Sequence, residues 1–222
     1  MTKSKMELGY WGIRGLASPL RLALEYAGVD YTDRRFASAA EWHAHRDGEL
    51  AAAGVVAFPS LPYLVVDDTT AVSQSRVILR FIADRHGFGG DGEAERTAAA
   101  MVQEEAADLN AAYLKVALAA DTESARKEQV AGSITTHLGR LEAFLGDKEW
   151  IAGGAAPTYA DILLFDVLEW MWHLDAELEA AYPKLRALRK RVGELPAIAA
   201  YVKRTDGDNP YLSRPFTPFK VG

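Results

Sequence analysis

A phenol at Tyr10, the pair Leu61-Pro62 and the dipeptide Gln74-Ser75 are the places in this chain suited to holding a ligand. Tyr10 stands just before Trp11-Gly12, where a short apolar strand is expected to end and its O–H would face the open end of a sheet. With a reference pKa of about 10, a tyrosine is a neutral hydrogen-bond donor at neutral pH. By position alone, an aromatic packed at a domain edge with its tip wet is the more ordinary reading. Leu61-Pro62 opens a strand, where proline gives up a ladder donor. A cis bond there turns the N–H and C=O of Leu61 outward, toward a bound peptide backbone; a trans proline simply starts an edge strand. Gln74-Ser75 opens a helix whose free amides and serine hydroxyl suit a carboxylate, though plain N-capping explains the pair as well.

The chain offers no obvious reactive atom of its own. It has no cysteine, which excludes disulfides, thiolate zinc sites and a protein thiol nucleophile. The histidines His43, His45, His86, His137 and His173 show no metal-ligand spacing, and His43 and His45 read as solvated residues of a loop. No metal site is expected. GxSxG, Walker and GxGxxG patterns are missing too.

With 222 residues, 49% of them hydrophobic and 25% charged, the chain reads as globular, with room for one large or two small domains. Its 31 Asp+Glu outweigh 25 Lys+Arg, which argues against nucleic acid as the main partner. No run reaches the roughly 18 apolar residues of a membrane span, since Asp166 and Glu169 interrupt the longest one. The expectation is a soluble cytoplasmic protein.

The elements that must position these residues fall into two unlike halves. Residues 1–86 alternate strands (Met6–Tyr10, Tyr31–Phe36, Leu61–Val66, Thr69–Val72) with helices. One helix has the face Leu16, Leu20, Leu24 and Ala27; the other follows Ser73. The order βαβ, long loop, ββα implies a mixed sheet in a thioredoxin-like α/β domain. Residues 87–94, rich in glycine, read as a linker. Residues 95–222 form an all-helical domain, with helices near Glu95–Ala119, Ser124–Gly146, Tyr159–His173, Tyr182–Val192 and Pro196–Arg204. Thr158 and Asp161 form a capping box, a stability device and not a catalytic acid. The helix it opens is apolar nearly all round, which implies burial. The tail Asp206–Gly222 reads as irregular and folded back over the domain.

Several stretches together resemble the cytosolic glutathione transferases, most closely the mu class and next the sigma class. They are Leu8-Gly-Tyr-Trp-Gly-Ile-Arg-Gly15, Arg21-Leu-Ala-Leu-Glu-Tyr26, Phe58-Pro-Ser-Leu-Pro-Tyr-Leu64, Gln74-Ser75, Ile82-Ala-Asp-Arg-His86, Trp150-Ile-Ala-Gly153, Thr158–Asp161, Phe165-Asp-Val-Leu168, Tyr182-Pro-Lys-Leu185 and Arg214-Pro215. They span essentially the whole chain in order.

The resemblance implies a homodimeric enzyme that uses glutathione as cosubstrate and joins its thiolate to a hydrophobic electrophile. Tyr10 would donate to the sulfur. Leu61, beside Pro62, would pair with the cysteinyl backbone, and Gln74 and Ser75 would hold the γ-glutamyl end. Asp108 would reach the α-amino group from the neighbouring subunit, while Trp11, Trp42 and Arg46 would flank the glycyl end. Gly12, Ala112, Lys115 and Phe216 would line the electrophile site.

This chain departs from the family at several of these places. Ser60 stands for asparagine, Arg46 for lysine, and Leu118 near the mu class's second tyrosine. Asp84 replaces a basic interface residue, and the loop from Arg46 to Val56 is longer than in the mu pattern. Phe58 matches an aromatic key that enters the partner subunit, or it is a core residue of its loop. Two alternatives are a glutathione-dependent isomerase of sigma type and a non-enzymatic carrier of hydrophobic ligands on the same fold.

Overall fold

The computed structural model describes residues 5–54, 57–119, 128 and 130–205. Strand β1 (Met6–Trp11) lies between β2 (Tyr31–Phe36), parallel to it, and β3 (Tyr63–Val66), antiparallel; β4 (Thr70–Ser73) closes the order β2-β1-β3-β4. The mixed sheet expected from βαβ followed by a hairpin is therefore present. The β3–β4 turn has Asp67 and Asp68 at φ 52° and 56°, two successive left-handed residues of the kind that match the twist of a tight hairpin. Helix α1 (Ser18–Tyr26) carries Pro19 in its first turn, where a missing N–H costs nothing.

Two expectations in this half change. Leu16 is not on the buried face of α1: it sits in a 3-10 turn (Gly15–Ala17) ahead of the helix, 45% exposed. His43 and His45 are not in a loop. They lie on α2 (Ala39–His45), which runs on through a π-helical turn (Arg46–Leu50). Ser38 caps α2 by accepting from the Glu41 amide, and the Glu41 carboxylate takes the Ala37 amide. The Ser38-x-x-Glu41 signature of a helix start was thus in the sequence. Trp42, His45 and Leu50 form the buried side of this segment.

Helix α3 (Ser75–His86) follows β4, and α4 begins at Gly92 and runs to Ala119. Beyond a π-helical turn (Val130–Ile134) come α5 (Thr135–Leu145), α6 (Tyr159–Leu174), α7 (Ala176–Ala181), α8 (Pro183–Gly193) and α9 (Pro196–Thr205). The six-residue α7 has no counterpart in the sequence reading, because it is too short to show a helical period. The start of the helix expected from Ser124, and the tail from Asp206, lie outside the described residues.

Helix α6 is buried nearly all round, as its composition implies. Its capping box is complete: Thr158 Oγ1 accepts from the Ala160 amide, and Asp161 accepts from the Thr158 amide at 2.8 Å. Asp161 also takes the Ile151 amide at 2.8 Å, tying the preceding loop to the helix start. Burial pushes its carboxyl above the usual range, against the pull of these donors. One apolar core runs through both halves, from Leu8 and Leu20 to Leu168 and Leu188. Among the described residues, no helix is long and apolar enough to cross a membrane, and no group of three or more His, Asp or Glu side chains could hold a metal ion.

Candidate functional site

Tyr10 is the fifth residue of β1, and its side chain is buried. The chain then turns back, so that the Leu16 amide donates to Tyr10 Oη at 3.2 Å. Gly15 permits this return. Its φ is +38°, and a Cβ there would stand 2.8 Å from Tyr10 Oη and 2.9 Å from Cε1. The phenol oxygen thus accepts from backbone, and among the described residues no acceptor takes its own hydrogen, which leaves that hydrogen for a ligand. Burial raises the Tyr10 pKa above its ordinary value, and the Leu16 amide and the Arg21 charge offset part of that rise. At neutral pH the group is a phenol, able to donate.

Two arginines clamp the returning loop. Arg21, buried on α1, donates to the Ile13 carbonyl at 2.8 Å and to Asp33 on β2 at 3.1 Å. Arg14 reaches across to α6, where its Nη2 lies 2.8 Å from Asp166 Oδ1 and 2.7 Å from Glu169 Oε2. Asp166 also accepts from the Ser18 hydroxyl and from Trp170 Nε1, at 3.4 Å in the latter case. The guanidinium of Arg14 lies 6.0 Å from the Trp170 ring, and the Tyr113 ring lies 5.8 Å from that of Trp170. The two acids raise the Arg14 pKa further above its usual value, against burial. Arg14 therefore fixes the loop that carries Gly12 and Leu16 to the helical half.

Leu61-Pro62 is cis, immediately before β3. Leu61 and Trp11 pack onto a second small core formed by Phe36, Trp42, Leu50 and Tyr63. Trp11, Trp42 and Leu61, three of the expected ligand residues, are thereby gathered around Tyr63. Trp42 meets Phe36 edge-on at 5.3 Å and stacks on Tyr63 at 6.0 Å. Gln74 is the N-cap of α3 at φ +72°, a backbone that a side chain adopts at some cost, and no side chain caps the helix. Ser75 is the first helical residue, so the first amides of α3 are open to a ligand. A Cβ at Gly12 would meet only the Phe36 carbonyl, at 3.9 Å.

The remaining expected residues spread more widely. Arg46 pairs with its neighbour Asp47 at 2.7 and 2.9 Å and turns to solvent. Asp108 and Lys115 are exposed on α4. Ala112, expected on the electrophile side, is buried in the main core, as Tyr10 is, and Leu114 on the same helix is exposed. The helical period places 112 and 114 about 200° apart, so the two cannot share a face. Phe216 lies outside the described residues, and nothing is described of the Leu118 side chain. Phe58 is 73% exposed and not a core residue of its loop. Asp84 pairs with Arg80 at 3.6 Å. Sequence reasoning missed Gly15, Arg21 and the Leu16 amide as parts of the site, since only the folded turn brings them to Tyr10.

Residues 6–84 match the glutathione S-transferase N-terminal domain family, and residues 107–205 match the C-terminal domain family. The chain belongs to the glutathione S-transferase family. It is 33% identical over 200 residues to glutathione S-transferase Mu 1 of Oryctolagus cuniculus, covering 89% of this chain and 90% of that one. It is 31% identical over 199 residues to the class-mu 26 kDa isozyme 51 of Fasciola hepatica, covering 89% and 88%. Among solved structures, the Onchocerca volvulus Pi-class glutathione S-transferase superposes with a TM-score of 0.79 at 27% identity, over 91% of this chain and 94% of that one. Rat hPGDS complexed with a quinoline superposes at 0.74 and 24% identity over 90% and 96%, which bears on the fold alone.

Proposed function

We propose that the chain binds glutathione on its sheet half and transfers the thiolate to a hydrophobic electrophile. The observation that carries this reading is the Tyr10 phenol, buried, protonated, and held by the Leu16 amide with its hydrogen to spare. A thiol of pKa ~8.5 is mostly protonated at neutral pH, and lowering it by ~2 units needs about 2.7 kcal/mol in favour of the thiolate. A hydrogen bond to a charged acceptor, worth about 1.5–3 kcal/mol, is of that size. The thiol proton leaves to solvent. The sulfur lone pair then forms a bond to the electrophilic carbon, and either a leaving group departs with its electron pair or the new carbanion or alkoxide takes a proton.

The tripeptide is held along its length. Leu61 pairs with the cysteinyl backbone beside Pro62. Gln74, Ser75 and the uncapped amides of α3 take the γ-glutamyl carboxylate, and Trp11, Trp42 and Arg46 lie at the glycyl end. Asp108 of a second subunit reaches the α-amino group. Gly12, Ala112 and Lys115 face the electrophile, Ala112 and Lys115 standing three residues apart on one face of α4. A homodimer suits the exposed Phe58, a large apolar ring that a partner would cover. Cytoplasmic residence suits chemistry that needs a reduced thiol. A carrier has no use for a phenol held in this way.

Tyr10→Phe tests the reading. The expected result is a folded protein whose bound glutathione thiol titrates about 1–2 units higher and whose conjugation rate at neutral pH falls about 10- to 100-fold. Unchanged rate and thiol pKa would make Tyr10 structural.

A further inference from the structure

Glu7, Tyr63 and His45 form a hydrogen-bonded chain that the transfer chemistry does not use. Tyr63 is fully buried on β3, and its hydroxyl donates to Glu7 Oε1 on β1 at 2.7 Å. His45 Nε2 lies 2.9 Å from the same phenol oxygen. Since the phenol's one hydrogen is on Glu7, Nε2–H is the donor in that contact. The other ring nitrogen, Nδ1, lies 3.2 Å from Glu49 Oε2 on the π-helical turn. Arg34 on β2 closes the figure, with Nε 3.1 Å from Glu7 Oε1 and Nη2 3.5 Å from Glu49 Oε2. Five side chains from three strands and the α2 segment thus make one ring. Glu49 is exposed, and its two contacts are weak. The buried Glu7–Tyr63–His45 part carries the linkage.

Gly9 explains why Tyr63 can take this position. The two residues are paired across β1 and β3, and a Cβ at Gly9 would fall 2.0 Å from Tyr63 Cε1. The ring therefore lies flat over the β1 backbone and reaches the end of α2. His45 is the last residue of α2, three positions after Trp42 and next to Arg46, and Trp42 stacks on the Tyr63 ring itself. One end of α2 is fixed by the Ser38 cap and the other by His45.

We propose that Tyr63 and His45 are positioning residues that set how tightly the glycyl end of glutathione is held, by fixing where α2 presents Trp42 and Arg46. The proposal rests on the assignment of Trp42 and Arg46 to that end of the ligand. It separates from the transfer chemistry because Tyr10 and Gln74 stand outside the small core that holds Tyr63 and Trp42, although Leu61 packs on it.

The test compares glutathione with γ-glutamylcysteine, which lacks the glycyl residue, by calorimetry on the full-length protein. Tyr63→Phe is expected to weaken glutathione binding about 5- to 10-fold, the loss of a buried hydrogen bond, and to change dipeptide binding less than about twofold. In turnover, KM for glutathione rises by the same factor while kcat stays unchanged. His45→Leu, which keeps the Tyr63–Glu7 bond, is expected to do the same and carries the test if Tyr63→Phe does not fold. Equal losses for both ligands, or no loss for either, would overturn the proposal. Wild-type protein binding tripeptide and dipeptide equally would overturn it too, by removing the glycyl contact. Wild-type protein binding neither ligand would instead overturn the glutathione reading on which the proposal rests.

Discussion

Replacing Gly15 with alanine separates the geometry of the phenol from its chemistry, because the substitution removes no reacting group. Two costs follow from the structure. The backbone at Gly15 has φ +38°, where a Cβ costs about 1–2 kcal/mol. For a chain of this size that lowers the melting temperature by about 2–8 °C. The second cost is local. The new methyl would stand 2.8 Å from Tyr10 Oη, so regaining an ordinary 3.4 Å contact moves the phenol oxygen by about 0.6 Å. Such a move also strains the 3.2 Å bond from the Leu16 amide. Displacements of about 1 Å in a reacting constellation cost on the order of 100-fold in rate, so a fall of about 10- to 100-fold in conjugation is expected. The assay is steady-state conjugation alongside titration of the bound thiol, in wild type, Gly15→Ala, Tyr10→Phe and the double variant. Both effects act through one hydroxyl, so the double variant should be little slower than Tyr10→Phe alone. A Gly15→Ala protein with wild-type rate and thiol pKa, or a double variant in which the losses multiply, would refute the idea that Gly15 exists to seat the phenol.

Arg14→Ala strands Asp166, only 3% exposed, without its main counter-charge, and is expected to lower unfolding free energy in urea by about 3–5 kcal/mol; a loss under 1 kcal/mol would show that Ser18 and Trp170 suffice. The phenols of Tyr10, Tyr26, Tyr31, Tyr63, Tyr113, Tyr159, Tyr182 and Tyr201 are all raised by burial, that of Tyr113 to about 12. The unfolded chain then loses these protons first, so stability is full below about pH 10 and declines as pH rises toward the folded values. Phenolate absorbance should appear together with unfolding, and gradual ionisation of a chain still folded by circular dichroism would contradict this. Phe58→Ser should shift sedimentation from dimer toward monomer at micromolar concentration, and an unchanged dimer would remove Phe58 from the interface.

Much of the fold was legible because its signals are local. The βαβ–ββα order follows from apolar runs and turn residues. The Asp67-Asp68 hairpin follows from two residues that tolerate a left-handed backbone. The Thr158–Asp161 box marks the start of α6 within four residues of sequence. The α2 segment was harder, since its apolar side is only Trp42 and Leu50 with a histidine between them. A histidine there has no local mark of burial. Its hydrogen-bond partner Tyr63 is 18 residues away. Leu16 misled in the other direction, because its spacing continues the face of α1 although the helix begins two residues later.

The candidate site divides along the same line. Residue types and order alone determined that the chain has no cysteine, that Tyr10, Leu61 and Gln74-Ser75 fall in its strand-bearing half, and that a helical half follows. These depend on side-chain chemistry and on periods of a few residues. Which hydrogen of which group is left for a ligand was decided only by folding. The Leu16 amide reaches Tyr10 through the Gly15 turn, Arg14 reaches an acid 152 positions away, and Tyr63 meets His45 across a sheet. The physical reason is that a hydrogen bond is specific to within tenths of an ångström, whereas sequence patterning specifies only which face a residue takes.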